Sequence, residues 1–348
     1  MSSKILVTGG LGYIGSHTSV ELIQQGFEII IVDDLSNSNT DVLEGINKIT
    51  GITPKFVNLD LRNKSDVNRL FENHQDLNGI IHFAASKAVG ESVERPLDYY
   101  ENNLSCLIYL LQAIENKGQE FSFIFSSSCT VYGQADELPI TEQEPIKKAQ
   151  SPYGNTKQIG EEILFDNTRS NELLKVISLR YFNPIGGHPS IKIGELPKGK
   201  PQNLVPFITQ TAAGLHEIIN VFGDDYPTRD GTCVRDYIHV VDLAKAHVVG
   251  LKRMMADEQI ENFEVFNLGT GKGNTVLEVI KAFEKVSGVS LNYKIVDRRV
   301  GDIVAAFADT TKANKTLGWE AKSDLEEALK TAWEWEKKIR NIKPNISL

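Results

Sequence analysis

Near its start the chain reads KILVTGGLGYIGSH: a short apolar run, a glycine-rich turn and the opening of a helical pattern. Glycines at 9, 12 and 15 give the spacing G-x-x-G-x-x-G. Gly9 suits a tight turn, Gly12 lets backbone approach a pyrophosphate, and Gly15 lets the helix pack close to the sheet. The helix N-terminus then presents free N–H groups to the phosphates. A glycine cluster alone is only a turn. Its place between strand and helix points to a dinucleotide and to a βαβ unit, which commits the chain to a parallel sheet.

The alternation continues. Apolar runs at 5–7, 29–32, 56–57, 80–83, 123–125 and 176–179 read as strands, with helical periods between them. Each is apolar on both faces, as a parallel sheet covered by helices requires. The expected fold is α/β: a doubly wound, Rossmann-type parallel sheet over 1–180. Beyond it the pattern is less regular. Loops are expected at 186–203 and 226–231, helices near 204–215, 242–255, 276–287 and 325–339, and strands near 219–222, 264–267 and 293–296. This reads as a smaller C-terminal α/β substrate lobe over 181–348, with about 237–269 returning to extend the sheet.

Composition narrows the function. A length of 348 residues suits two domains, or one large domain with a lobe. The net charge of -9 argues against nonspecific nucleic-acid binding and against an anionic membrane surface. The three cysteines, Cys106, Cys129 and Cys233, are far apart, which fits a reducing compartment better than a disulfide framework. The seven histidines show no metal-ligand spacing. No apolar stretch reaches the roughly 20 residues needed to span a bilayer. The chain opens on a strand rather than a secretory leader, so a cytoplasmic location is expected.

Asp33 ends the second strand, 21 residues after Gly12. An acid there accepts hydrogen bonds from the adenosine ribose and repels a 2'-phosphate, which favours NAD over NADP. Asp60, after the third strand, is placed to meet the adenine amino group.

Tyr153 and Lys157, in SPYGNTK, stand four apart at a helix start and share one face. An ammonium beside a phenol favours the phenolate and lowers its pKa from about 10 toward neutrality. That makes a general base for a hydroxyl proton. The serines Ser126, Ser127 and Ser128 follow the strand at 123–125. The carboxyl ends of such strands face the ligand crevice, so a serine there can hydrogen-bond a substrate hydroxyl beside Tyr153. Arg235 and Arg299 can pair bidentately with a diphosphate. The alternative for each is an ion pair with Asp236 or Asp302.

Together TGGLGYIGSH, HFAASKAVGES, FSSSCTVYG, SPYGNTK, RYFNP and VRDYIHV resemble the extended short-chain dehydrogenase/reductase family, from Lys4 to about residue 335. Within it they are most similar to the enzymes that invert C4' of UDP-hexoses. The resemblance implies NAD and a UDP-sugar as ligands, with Ser128, Tyr153 and Lys157 carrying the chemistry. It implies that Tyr13, Ile14, Asp33, Asn37, Ser38, Asp60, Leu61, Phe83, Ala84, Lys87, Asn102, Ser126 and Tyr181 surround the cofactor beside the three glycines. It places Thr130, Asn183, Asn203, Leu204, Phe222, Arg235, Arg299, Asp302 and Ala306 around the substrate. In that family a bulky tyrosine at the position of Ala306 accompanies restriction to UDP-glucose and UDP-galactose. A small residue there accompanies acceptance of the N-acetyl sugars. The resemblance also implies a homodimer, paired through the helices at 96–117 and 153–170 as a four-helix bundle.

Three rival readings remain at this stage. A 4,6-dehydratase needs an Asp-Glu pair just after the serine position, where this chain has Cys129-Thr130. A non-catalytic dinucleotide sensor would have no need of the Tyr–Lys pair. Net alcohol oxidation would let reduced cofactor accumulate.

Overall fold

The computed structural model describes residues 3–299 and 302–342. The first half builds β1 (Lys4–Thr8), α1 (Tyr13–Gln24), β2 (Glu28–Asp33), α2 (Asp41–Thr50), β3 (Lys55–Asn58), α3 (Lys64–Asn73) and β4 (Leu77–His82). It continues with α4 (Val89–Glu94), α5 (Pro96–Glu115), β5 (Phe121–Ser126), α6 (Pro152–Ser170) and β6 (Leu174–Tyr181). The second half builds β7 (Asn183–Ile185), α7 (Leu204–Ala212), β8 (Ile219–Phe222), β9 (Val234–His239), α8 (Val240–Met255) and β10 (Phe263–Leu268). Last come β11 (Gly273–Thr275), α9 (Val276–Ser287), β12 (Tyr293–Val296), β13 (Ala305–Ala306) and α10 (Leu325–Ile339).

Seven strands form one sheet in the order β10-β6-β5-β4-β1-β2-β3. Every neighbouring pair is parallel. The order reverses beside β1, which opens a crevice between the carboxyl ends of β1 and β4. Consecutive residues Ile5–Leu6, Ile80–Ile81 and Phe123–Ile124 are fully buried, so both faces of these strands are covered. Val20 and Leu22 of α1 and Leu243 and Leu251 of α8 pack on one face. Leu70 of α3, Leu107 and Leu110 of α5 and Leu164 of α6 pack on the other.

The stretch 237–269 divides, which corrects part of the expectation from sequence. Only β10 enters the large sheet, alongside β6. β9 pairs instead with β7, β11 and β13 in a separate small sheet. The physical reason is that a parallel strand needs a crossover to reach its partner. Helix α8, packed across α1, provides that crossover for β10. The remaining lobe closes on Ile208, Val221, Ile280, Phe283, Leu329 and Trp333. Among the described residues no helix is long and apolar enough to cross a membrane, and no cluster of side chains could hold a metal ion.

Candidate active site

The glycine turn is built so that little but glycine fits. Gly9 has φ +63°, and a Cβ there would lie 2.8 Å from the Ala84 nitrogen. A Cβ on Gly15 would meet the Gly9 carbonyl oxygen at 2.3 Å. Gly12 caps α1 with no side-chain acceptor, which leaves the first-turn N–H groups for an anion. Asp33 braces the same turn: Oδ2 accepts from the Leu11 N–H at 3.1 Å, and Oδ1 accepts from the Ser38 hydroxyl at 2.6 Å. A tight turn, an uncapped helix end and a carboxylate at the end of β2 fit a dinucleotide phosphate and ribose. Tyr13 lies at the start of α1 and donates to the Gly186 carbonyl at 2.6 Å, while Ile14 packs toward the α1 core. Around the turn, Leu61 is buried beyond β3. Phe83 lies 4.8 Å from the His247 ring. Asn37 is exposed in the loop after β2.

Helix α6 begins where the chemistry needs it. Ser151 caps the helix by accepting from the Gly154 N–H at 3.1 Å, and Pro152 occupies the first turn. This fixes Tyr153 at the helix start, with Lys157 one turn further on the same face. Both are buried, beside Ser126 and Ser128 at the end of β5. Lys157 Nζ donates to the Ser126 carbonyl at 2.7 Å, and the Ser126 hydroxyl meets the Tyr181 hydroxyl at 2.5 Å. The Ser128 hydroxyl accepts from the Thr130 N–H at 3.2 Å. Thr130 Oγ1 is buried with no hydrogen-bond partner among the described residues.

The site is dry, which opposes the expected phenolate in the protein alone. Burial pushes the Tyr153 hydroxyl well above its ordinary range, and the neighbouring Tyr181 adds to this, while the Ser128 hydroxyl works the other way. Burial also lowers Lys157 to about 8, partly opposed by Glu161. Lys157 Nζ sits 5.9 Å from the centre of the Tyr153 ring and spends a hydrogen bond on backbone. Burial is therefore the largest influence on the phenol in the protein alone.

On the far side of the crevice, Arg299 donates to Asp302 at 2.8 Å and Arg235 lies 3.8 Å from the same carboxylate. The Arg299 guanidinium covers the Phe222 ring at 5.4 Å. Ala306 pairs in register with Arg235 across β13 and β9. It is buried against Val131, Tyr132 and Phe182, next to the turn that follows Ser128. Asn203 caps α7 and Leu204 opens it, and Asn183 lies in β7 opposite Tyr237 of β9.

A family model described as GDP-mannose 4,6 dehydratase matches residues 6–332. The UDP-glucose 4-epimerase of Bacillus subtilis (strain 168) is 50% identical over 332 residues, covering 95% of this chain and 96% of its own. A UDP-glucose-4-epimerase structure from Stenotrophomonas maltophila, with bound NAD and formylated UDP-arabinopyranose, superposes with a TM-score of 0.93. It is 46% identical, over 98% of this chain and all of that one. The UDP-glucose 4-epimerase of Bifidobacterium longum, in complex with NAD+ and UDP, gives 0.92 at 44% identity, over 97% of this chain and 99% of that one. The chain belongs to the UDP-glucose 4-epimerases, within the extended short-chain dehydrogenase/reductase family.

Three further predicted positions have protein partners. Asp60 is gripped by the Arg62 guanidinium at 2.7 Å. Lys87, half exposed, lies 3.8 Å from Glu195. Asn102 donates to the Ser86 hydroxyl at 3.2 Å. The sequence reading missed Glu195, which stands between Lys87 and Asn203. It also missed Lys198, whose Nζ donates to the Leu35 and Ser36 carbonyls at 3.0 and 2.8 Å. A third omission is the buried pair Glu161 and Arg180. Glu161 had a signal, since it continues the spacing of Tyr153 and Lys157 by one more turn. Glu195 and Lys198 sit in a loop with no periodicity to read.

Proposed function

We propose that the protein interconverts UDP-glucose and UDP-galactose by inverting C4', with NAD kept bound through turnover. The observation that carries this is the buried convergence of Tyr153, Lys157 and Ser128 at the carboxyl end of β5, across the switch-point crevice from the glycine turn. Bound NAD supplies a reversible hydride acceptor, so that C4' can pass through a 4-keto stage without net redox. In its phenolate form Tyr153 Oη takes the 4'-hydroxyl proton and returns it. Ser128 Oγ hydrogen-bonds the same sugar oxygen, and Lys157 supplies the positive charge that favours the phenolate. General acid–base catalysis of this kind contributes about 10²–10⁴-fold.

Inversion requires the sugar to turn while its handle stays fixed. Arg235 and Arg299 hold the diphosphate, exchanging Asp302 for phosphate oxygens. Phe222 stacks on uracil, and Asn183, Asn203 and Leu204 complete the contacts. Ala306 leaves room for an acetamido group, so the N-acetylated UDP-hexoses are substrates as well. Asp33, Ser38, Asp60, Lys87 and Asn102 hold the cofactor.

The cofactor unit comprises 1–180 with β10, and the rest of 181–348 forms the substrate lobe. Exposed Leu97 and Ile108 on α5 and Phe165 on α6 support pairing of two copies through these helices. The assembly is a cytoplasmic homodimer in this reading.

The first test is incubation of the purified protein with UDP-galactose and no added NAD. Formation of UDP-glucose to a fixed equilibrium ratio is the expected result. No conversion, even with NAD supplied, overturns the reading. Steady accumulation of NADH would indicate net oxidation instead.

A further inference from the structure

Glu161 lies one turn beyond Lys157 on α6, so Tyr153, Lys157 and Glu161 share a helical face. Its carboxylate is buried and fully engaged. Oε2 accepts from Arg180 Nη2 at 2.5 Å, and Oε1 accepts from Arg180 Nε at 3.0 Å. Oε1 also accepts from two hydroxyls, Ser127 at 2.6 Å and Ser178 at 2.7 Å.

Those two hydroxyls have different neighbours. Ser178 sits mid-strand in β6. Ser127 is the residue between Ser126 and Ser128, where β5 leaves the sheet. Side chains alternate along a strand, so Ser127 faces back toward α6 while its neighbours face the crevice. The far side of the Ser128 turn is tied to the same pair. Arg180 Nη1 donates to the Tyr132 hydroxyl at 3.0 Å, and that hydroxyl donates to Asn267 Oδ1 at 2.6 Å.

We infer that Glu161 is a positioning residue for the reaction: with Arg180 it clamps both sides of the Ser128 turn and sets that serine's distance from Tyr153. The helix acts as a ruler, because the proton-transfer residue and the clamp's carboxylate are rigidly spaced along it. An ion pair is suited to this, since its carboxylate cannot turn without breaking hydrogen bonds to Arg180, Ser127 and Ser178. The inference rests on the placement of Ser128 and Tyr153 in the reaction.

Replacing Glu161 itself is a blunt test, because Arg180 would be buried without a counter-charge. Ser127→Ala is sharper. It cuts the link to the catalytic turn while Ser178 and Arg180 still satisfy the carboxylate. Ser178→Ala removes the other hydroxyl and serves as its control. The expected result for Ser127→Ala is a kcat about tenfold lower or more with KM unchanged, since small misplacements are costly in catalysis. Ser178→Ala should keep kcat within about twofold of the parent while showing a similar shift in thermal midpoint. Wild-type kcat in Ser127→Ala overturns the inference, as does an equal fall in both variants. Tyr153→Phe tests the underlying reading separately: full activity there would remove the site, whatever Ser127→Ala does.

Discussion

At the scale of single residues, the active site is a contest between burial and charge. Lys157 is buried and held at about 8. Its ammonium is present below that pH and lost above it, so the support it gives the phenolate fades as pH rises through about 8. We expect an alkaline limb in kcat/KM near pH 8, absent from Lys157→Met, which should also be slower at every pH. Stability moves the other way. The folded pKa lies below the unfolded value of about 10.4, so between about 8 and 10.4 the unfolded chain binds more protons. In that window this group makes the fold more stable as pH rises. A pH series of kcat/KM beside one of thermal midpoint separates the two effects; a shared fall would mean that unfolding causes the limb. Ala306 gives a second prediction. Its methyl is buried beside Tyr132 and Phe182, so a larger side chain must either overpack this cluster or enter the crevice. Ala306→Tyr should lose turnover of UDP-N-acetylgalactosamine while keeping that of UDP-galactose, at a stability cost of about 1–3 kcal/mol. Equal loss of both substrates would show that the ring blocks the hexose itself.

At the scale of elements, function depends on where α6 begins. Ser151, two residues before Tyr153, satisfies the Gly154 N–H and so keeps the first turn, which holds Tyr153, from fraying. Ser151→Ala should cost about 1 kcal/mol, read from a denaturant midpoint at unchanged slope. It should also lower kcat, because the frayed turn is the one that carries Tyr153, the proposed base. Unchanged kcat would mean that packing alone holds Tyr153. The same helix explains much of what was legible beforehand. Tyr153 and Lys157 are linked by helical spacing, and Gly9, Gly12 and Gly15 by a local turn, so chain order alone brings each set together. The strands of the large sheet were legible because burial on both faces leaves an unbroken apolar run. β7, β11 and β13 span only two or three residues, too short for any period, and their pairing with β9 depends on distant chain. For the same reason Glu161 could be placed beside Lys157 in advance, yet its partner Arg180 on β6 could not. The burial that opposes a Tyr153 phenolate is not legible in the sequence, which reports who the neighbours are and says nothing of how dry the site is.

At the scale of the whole molecule, the two parts of the chain share apolar packing, as where Ala306 and Ala308 meet Val131 and Ile140, and polar contacts join them near the glycine turn. Tyr13 reaches the Gly186 carbonyl, Lys87 approaches Glu195, and Lys198 spans to the backbone of Leu35 and Ser36. The last contact matters for a reaction without net redox, which requires NAD to stay in place while the sugar turns over. Segment 35–38 follows Asp33 at the end of β2, and Ser38 is itself bonded to Asp33. Lys198 thereby ties the segment after β2 to the later part of the chain, and in the proposed reading this tie is a strap beside the cofactor ribose. Lys198 is exposed, and surface contacts of this kind contribute little to global stability. Lys198→Ala should therefore leave the thermal midpoint of the NAD-saturated protein nearly unchanged while the cofactor dissociates faster. The measurement is the fraction of protein that retains NAD after gel filtration, followed by activity with and without added NAD. The expected outcome is partial loss on the column, with activity restored by supplying the cofactor. Full retention in Lys198→Ala would show that the glycine turn and Asp33 hold NAD unaided, and that the strap serves only to join the lobes.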